Sequence, residues 1–290
     1  MTRNVVVIDA HRVELHEAFM RYVPQVFPSI SFRRWYELGG WHPGYRAFAI
    51  FEGDRIVANA SLQRMNLLVR GQRVTGWQFG AVGVLPDLRG RGLQQHLMSD
   101  VLKRIDQRDL VFLFANEDVL DFYPKYGFKR VTEWLFGIEI DIEPATSSLR
   151  RLSVDSPEDR ALVARIAASA QPVTERFGAE DYGGCVLWYW TQFHKDDVYY
   201  HAGDDAIVVA EEDVEVLRIV DVLAARSIDL PAYLPQLATR PTQHVEFGFT
   251  PERYWPRAQP LCEYLESPLF VLGNANLPSG PFKFPVLAQT

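Results

Sequence analysis

Apolar and polar positions along this chain follow two periods, and the switch between them marks the elements. Asn4 to Asp9 holds a short apolar run that predicts a buried strand. Helical spacing follows over about residues 11–23, with Val13, Phe19, Met20 and Val23 as core candidates, and again over about residues 31–38, where Gly39 and Gly40 end it. From Tyr45 the period changes to strands. Residues 45–51 and 55–62, the latter extending toward Val69, flank the hairpin loop Glu52-Gly53-Asp54. Arg70-Gly71-Gln72 turns the chain into a third antiparallel strand over residues 74–85. Leu93, Leu97, Val101 and Ile105 then fall four apart, one apolar stripe of a helix. Residues 110–115 (LVFLFA) are a continuous apolar run suited to a buried strand, parallel to the strand before the helix because a helical crossover separates them. A short helix over residues 118–126 and a strand over residues 133–142 complete the first half.

Residues 144–148 (PATSS) are the linker candidate, and they divide the chain into expected domains 1–145 and 150–290. Ser156-Pro157-Glu158-Asp159 starts a helix, with Ser as cap, Pro in the first turn and two acids near the dipole's positive end. The aromatic-dense stretch 186–193 (VLWYWTQF) is expected in the core. The second half then echoes the first. Two strands flank Glu211-Glu212-Asp213, followed by a short helix over residues 230–238 and a strand over residues 245–249. Ala224-Ala225-Arg226-Ser227 stands where the first half has its Gly/Arg loop, so the echo is a degenerate copy without a ligand site. The Pro-, Gly- and Phe-rich C-terminal stretch is too apolar for disorder and reads as an ordered, extended tail.

Composition narrows the function classes. The chain has 290 residues, 48% hydrophobic and 23% charged, as in a globular protein. A net charge of −7 argues against nucleic acid or an anionic membrane as partner. Cys185 and Cys262 lie in no metal-ligand or CxxC spacing and read as reduced thiols. The seven histidines form no metal spacing, so no metal is expected. The N-terminal apolar run is too short for a signal peptide, which points to a cytoplasmic location.

The candidate chemistry lies in residues 81–105. A strand ends at Pro86 and Asp87, and the loop Leu88-Arg89-Gly90-Arg91-Gly92 feeds the helix. Unpaired N–H groups at the helix start point into that loop, the dipole adds positive potential, two glycines admit close backbone approach, and Arg89 and Arg91 supply charge. Such a loop holds phosphates.

Two motifs give this half a resemblance to the GCN5-related N-acetyltransferase (GNAT) superfamily. One is Arg89-Gly90-Arg91-Gly92-Leu93-Gln94, matching the family's Arg-x-x-Gly-x-(Gly/Ala) loop except that Gln94 replaces the final small residue. The other is Asn116 followed by Phe122-Tyr123-Pro124-Lys125-Tyr126-Gly127-Phe128. The form RGRGLQ, with the echo in the second half, is similar to the tandem acetyltransferases of the enhanced-intracellular-survival group. Those continue into a sterol-carrier-like third domain, which 290 residues do not accommodate. The implied fold class is α/β (α+β): a mixed, mostly antiparallel central sheet flanked by helices, with a second, degenerate copy.

The resemblance also implies a donor and roles. Acetyl-CoA is the expected cosubstrate, its pyrophosphate on the N–H groups from Arg89 to Gln94 and its pantetheine arm along Val82, Gly83 and Val84, where Gly83 suits close approach. Asn116 either binds the arm or caps the following helix. Tyr123 stands where the family's general acid stands, Tyr126 is a packing residue, and a backbone N–H on the strand of Val82 to Val84 is the expected oxyanion donor. The expected reaction is acetyl transfer to the amine of a small molecule or amino sugar, by direct attack. The alternative is a non-catalytic acyl-CoA-binding module. Many members carry a Glu on the strand before the loop as base, yet residues 75–81 (TGWQFGA) contain no acid. The base comes from elsewhere, acts through water or is absent; Glu117, Asp118, His42 and a Thr290 carboxylate, as chain termini serve in the tandem group, are the candidates. A homo-oligomer is compatible with the sequence.

Overall fold

The computed structural model describes residues 4–290. Strand β1 (Val5–Ile8) leads through helices α1 (Val13–Val26) and α2 (Arg33–Glu37) into strands β2 (Tyr45–Glu52), β3 (Arg55–Val69) and β4 (Gln72–Val84). Helix α3 (Leu93–Leu102) and strands β5 (Leu110–Phe114) and β6 (Phe128–Ile142) follow. Beyond them come β7 (Arg150–Arg151), α4 (Pro157–Ser169), β8 (Phe177–Glu180), α5 (Gly183–Gln192), β9 (Val198–His201), β10 (Ala206–Glu212), β11 (Val216–Leu223), α6 (Leu234–Leu237), β12 (Thr242–Phe247) and β13 (Gln259–Leu272).

β1 to β4 are antiparallel neighbours in chain order, and β5 joins β4 in parallel across α3, as a helical crossover requires. The second half repeats this plan. β9, β10 and β11 are antiparallel, and β12 runs parallel to β11. The halves then exchange strands. β13, from late in the chain, pairs with β5, whereas β6, from the first half, pairs with β12, and β6 and β13 pair with each other. One 13-stranded sheet results among the described residues. Among these residues no helix is long and apolar enough to cross a membrane.

Helices α1 and α3 cover the first half of the sheet. α3 buries Leu93, Leu97, Met98 and Val101. α1 buries Phe19, Met20, Tyr22 and Val23, while Val13, a core candidate by periodicity, is 58% exposed in the first turn. The start of α4 is as its sequence dictates: Ser156 Oγ accepts the Asp159 N–H at 3.1 Å, with Pro157 behind it. Other boundaries shift for identifiable reasons. The segment expected as one helix over residues 118–126 is two 3-10 turns, Glu117–Val119 and Tyr123–Tyr126, interrupted at Pro124 and stopped by Gly127 at φ +87°. β6 begins at Phe128, five residues early, because β13 supplies ladder partners there, Leu272 opposite Phe128. The tail from Ser267 is partly strand, the end of β13, before it runs on in extended form.

Candidate active site

The site begins with a fault in β4. Asn59 faces Gly83 and Ser61 faces Gly80, so Ala81 and Val82 together oppose Ala60, a β-bulge. Ala81 adopts φ +47°, a conformation that costs a non-glycine residue about 1–2 kcal/mol. Buried Asn59 holds it there, its Nδ2–H donating to the Ala81 carbonyl at 2.9 Å. Parallel pairing of β4 with β5 stops at Phe79 opposite Leu113. Past that point the strands part, and a cleft of about 1940 Å³, open mouth included, lies between them.

The cleft wall contains Val82, Gly83 and Val84, then Arg89, Gly90, Gly92, Leu93 and Gln94, with Asn116 and Tyr123 on the β5 side. Gly90 (φ +76°) and Gly92 (φ +71°) take left-handed turns that favour glycine, and Gly92 precedes the first turn of α3. That brings the N–H groups of Leu93, Gln94 and Gln95 to the cleft. Arg89 lies beside them, its Nε–H donating to Val84 O at 3.4 Å. Arg91 does not reach the cleft: its guanidinium turns to the Asp87 carbonyl at 3.4 Å. Gln94 lies on the wall and donates from Nε2 to Asn59 O at 3.5 Å, tying the loop to the bulge.

Gly83 has a structural reason different from ligand approach. A Cβ there would stand 2.5 Å from Val26 Cγ1, so the missing side chain lets α1 lie on the sheet. Tyr22 on α1 completes the contact, donating to Gly83 O at 2.6 Å. The Asn116 side chain makes no capping hydrogen bond among the described residues. Tyr123 is 6% exposed, its ring packed on Phe122, Phe128 and, from β13, Phe270. Burial pushes its phenol up to about 12, so it keeps its proton throughout the neutral range. Half-buried Tyr126 packs on Phe122 at 5.1 Å.

A second cavity, about 650 Å³ with its mouth, meets the cleft at Phe32, Gly80, Ala81, Trp188 and Thr290. Thr290 is there because of Gln78. This fully buried side chain, on the strand where an acid was sought, accepts the Thr290 N–H at 2.6 Å and donates to Ala288 O at 2.9 Å. Gly80 makes room, since a Cβ on it would stand 2.9 Å from Thr290 Oγ1. Of the other base candidates, His42 lines the second cavity and accepts the Gly44 N–H at 3.0 Å on Nδ1. Asp118 lines the cleft, and Glu117 is exposed and off it.

Sequence reasoning missed Gln78 and Trp188. Trp188 sits in the aromatic stretch assigned to the core. Its neighbour Trp190 is buried there, but Trp188 faces both cavities. The position of Phe193, 56% exposed at the end of the same helix, shows that α5 has an outward face, a helical period that the density of aromatics concealed. Both cysteines are free. Folding also gathers His194, Asp197 and Glu211, with His194 Nδ1 2.9 Å from Glu211 and 3.5 Å from Asp197. His194 and Asp197 are three residues apart, whereas Glu211 comes from β10, which sequence spacing does not show.

The cleft, the bulge, the glycine turn and the buried tyrosine lie within one segment, and residues 13–131 match the family model for the acetyltransferase (GNAT) domain. The first half resembles a GNAT acetyltransferase domain over that match. No curated protein matches the sequence. Among solved structures, the chain is similar to a probable N-acyltransferase from Enterococcus faecalis, with 14% identity, a TM-score of 0.59, and 92% of this chain and 72% of that one covered. It is also similar to a GCN5-related N-acetyltransferase from Kribbella flavida, with 16% identity, a TM-score of 0.53, and 92% and 70% covered. A third likeness is to Eis1 from Mycobacterium abscessus, with 18% identity, a TM-score of 0.54, and 92% and 73% covered. At these identities the likeness is one of fold. It extends past residue 131 into the second half, in keeping with two GNAT-like units.

Proposed function

We propose that the chain is an acetyl-CoA-dependent N-acyltransferase whose donor lies in the cleft and whose amine enters through the second cavity. The observation that carries this is the meeting of the two cavities at the Ala81 bulge, with a glycine turn at the far end of the cleft and Tyr123 on its wall. Coenzyme A fits that layout by chemistry. Its pyrophosphate takes the N–H groups at the start of α3 and the charge of Arg89. Its extended arm takes the backbone of Val82, Gly83 and Val84, left without a β5 partner. Asn116 is assigned to the arm.

In the reaction the amine lone pair forms the C–N bond and the thioester carbonyl becomes an oxyanion. A backbone N–H at the bulge, fixed in place by Asn59, would stabilise that charge. Collapse expels sulfur, and the net proton passes from nitrogen to sulfur. Tyr123 is assigned as general acid. With the phenol near 12 and a thiol near about 8.5, complete transfer would be uphill by roughly 3.5 units. Tyr123 therefore acts while the C–S bond breaks, donating to the departing sulfur as the amine loses its proton. The amine's proton leaves to water through the second cavity, past Thr290 at the junction of the cavities, and Tyr123 regains a proton from water.

The test is calorimetric titration with acetyl-CoA together with free-thiol release across a panel of amines. Binding with amine-stimulated release supports the proposal. Tight binding with no release for any amine would favour a non-catalytic acyl-CoA-binding module, and no binding would remove both.

A further inference from the structure

We infer that the acceptor is an arylalkylamine, a primary amine on a flat aromatic body, rather than an amino sugar; this rests on the acyl-transfer reading above. The second cavity is walled by Phe32, Trp35, Tyr45 and Trp188, with Met65 and Cys185 adding soft apolar surface. The four rings form one connected cluster. The Phe32 centroid lies 5.4 Å from Trp35, 6.3 Å from Tyr45 and 5.8 Å from Trp188, and Trp35 lies 5.9 Å from Tyr45. These are the separations at which aromatic rings associate, so an entering ring joins an existing array.

Apolar surface predominates on these walls, and three buried polar atoms, Tyr45 Oη, Trp188 Nε1 and Gln289 Nε2, have no hydrogen-bond partner among the described residues. The Trp35 Nε1–H is committed to Gly184 O at 2.9 Å. Glu180 is held by Arg73 at 2.8 Å, and Asp181 and Arg64 are exposed. An amino sugar would bring more hydroxyls than these three atoms can match, and each buried hydroxyl left unmatched weakens binding.

Apolar walls also serve the chemistry. Attack needs the neutral amine, and desolvation among aromatic rings favours that form over the ammonium ion. The pocket thereby reduces the demand for a carboxylate base, which residues 75–81 lack.

The experiment is thiol release by the full chain with acetyl-CoA and, separately, 2-phenylethylamine, glucosamine and putrescine. The expected kcat/KM for 2-phenylethylamine exceeds the other two by about tenfold to a hundredfold. Equal or better use of glucosamine or putrescine overturns this inference while leaving acyl transfer intact. If no amine releases thiol although acetyl-CoA binds, acyl transfer fails, and calorimetry with 2-phenylethylamine decides the pocket: binding that glucosamine does not match supports it, and none overturns it. Filling the cavity by Cys185→Phe should abolish 2-phenylethylamine binding and retain that of acetyl-CoA, because Cys185 lines only the second cavity. Undiminished amine binding to that variant also overturns it.

Discussion

Gln78→Met keeps the length and most of the volume of the side chain while removing its amide. Two hydrogen bonds to the tail disappear, the 2.6 Å bond from Thr290 N–H and the 2.9 Å bond to Ala288 O. Both partners lie against a fully buried residue, and a buried polar group left unpaired costs about 1–3 kcal/mol. The upper end is not reached if the tail lifts into water. Lifting, however, exposes Leu287, which is fully buried, at about 2 kcal/mol. The expected loss is therefore about 3 kcal/mol. For 290 residues at about 2.1 cal/mol/K each, this lowers Tm by roughly 5 °C. Thermal unfolding by calorimetry measures the shift, and titration measures acetyl-CoA binding, which should persist because Gln78 does not line the cleft. Turnover should fall as Thr290 leaves the junction. A Tm within about 1 °C of wild type, with undiminished turnover, would refute the reasoning that Gln78 docks the tail.

Gly92→Ala places a side chain at φ +71°, so acetyl-CoA affinity should fall about tenfold as the turn distorts, read by titration. Asp221 is fully buried and held by Tyr182 at 2.9 Å, and burial pushes its carboxyl up to about 7. A raised carboxyl binds more protons folded than unfolded, so its contribution to stability falls as pH rises from about 4 to 7. Asp221→Asn should remove that fall, narrowing the stability difference between pH 5 and pH 8 by about 2–3 kcal/mol in urea unfolding. Lys283→Met removes the cation that opposes the upward push of burial on the Glu133 carboxyl and should cost about 1–3 kcal/mol, partly restored by adding Glu133→Gln, both read by urea unfolding.

Local pattern carried the first half of the fold. The hairpin of β2 and β3, the return of β4, the stripe on α3 and the apolar run of β5 are each set by neighbours in sequence, and the structure has them. The same holds for β10 and β11 around their acidic turn. The strand exchange was not legible. β13 is largely exposed over Gln259 to Glu266, so its alternation is weak, and its partners lie more than a hundred residues earlier. Side-chain periodicity marks a strand but not its partner. At the site, the turn of Gly90 and Gly92 and the position of Tyr123 could be read, because they depend on a short motif. Ala81 could not, because nothing about alanine announces a left-handed residue; Asn59, far along the chain, imposes it. Gln78 was passed over in the search for an acid, although a buried glutamine on a strand must find partners for its amide. Gly83 lines the cleft and also lets α1 lie on the sheet, a contact that its strand position does not announce.

The most direct measurement is the single-turnover rate of Tyr123→Phe, with acetyl-CoA bound and a competent amine added, beside the acetyl-CoA dissociation constant of the same protein. The substitution removes one oxygen from a side chain whose ring packing against Phe122, Phe128 and Phe270 is retained. The account predicts an unaltered dissociation constant and a rate lower by about 10²–10⁴-fold, the usual scale for a positioned acid. A rate equal to that of wild type would contradict it.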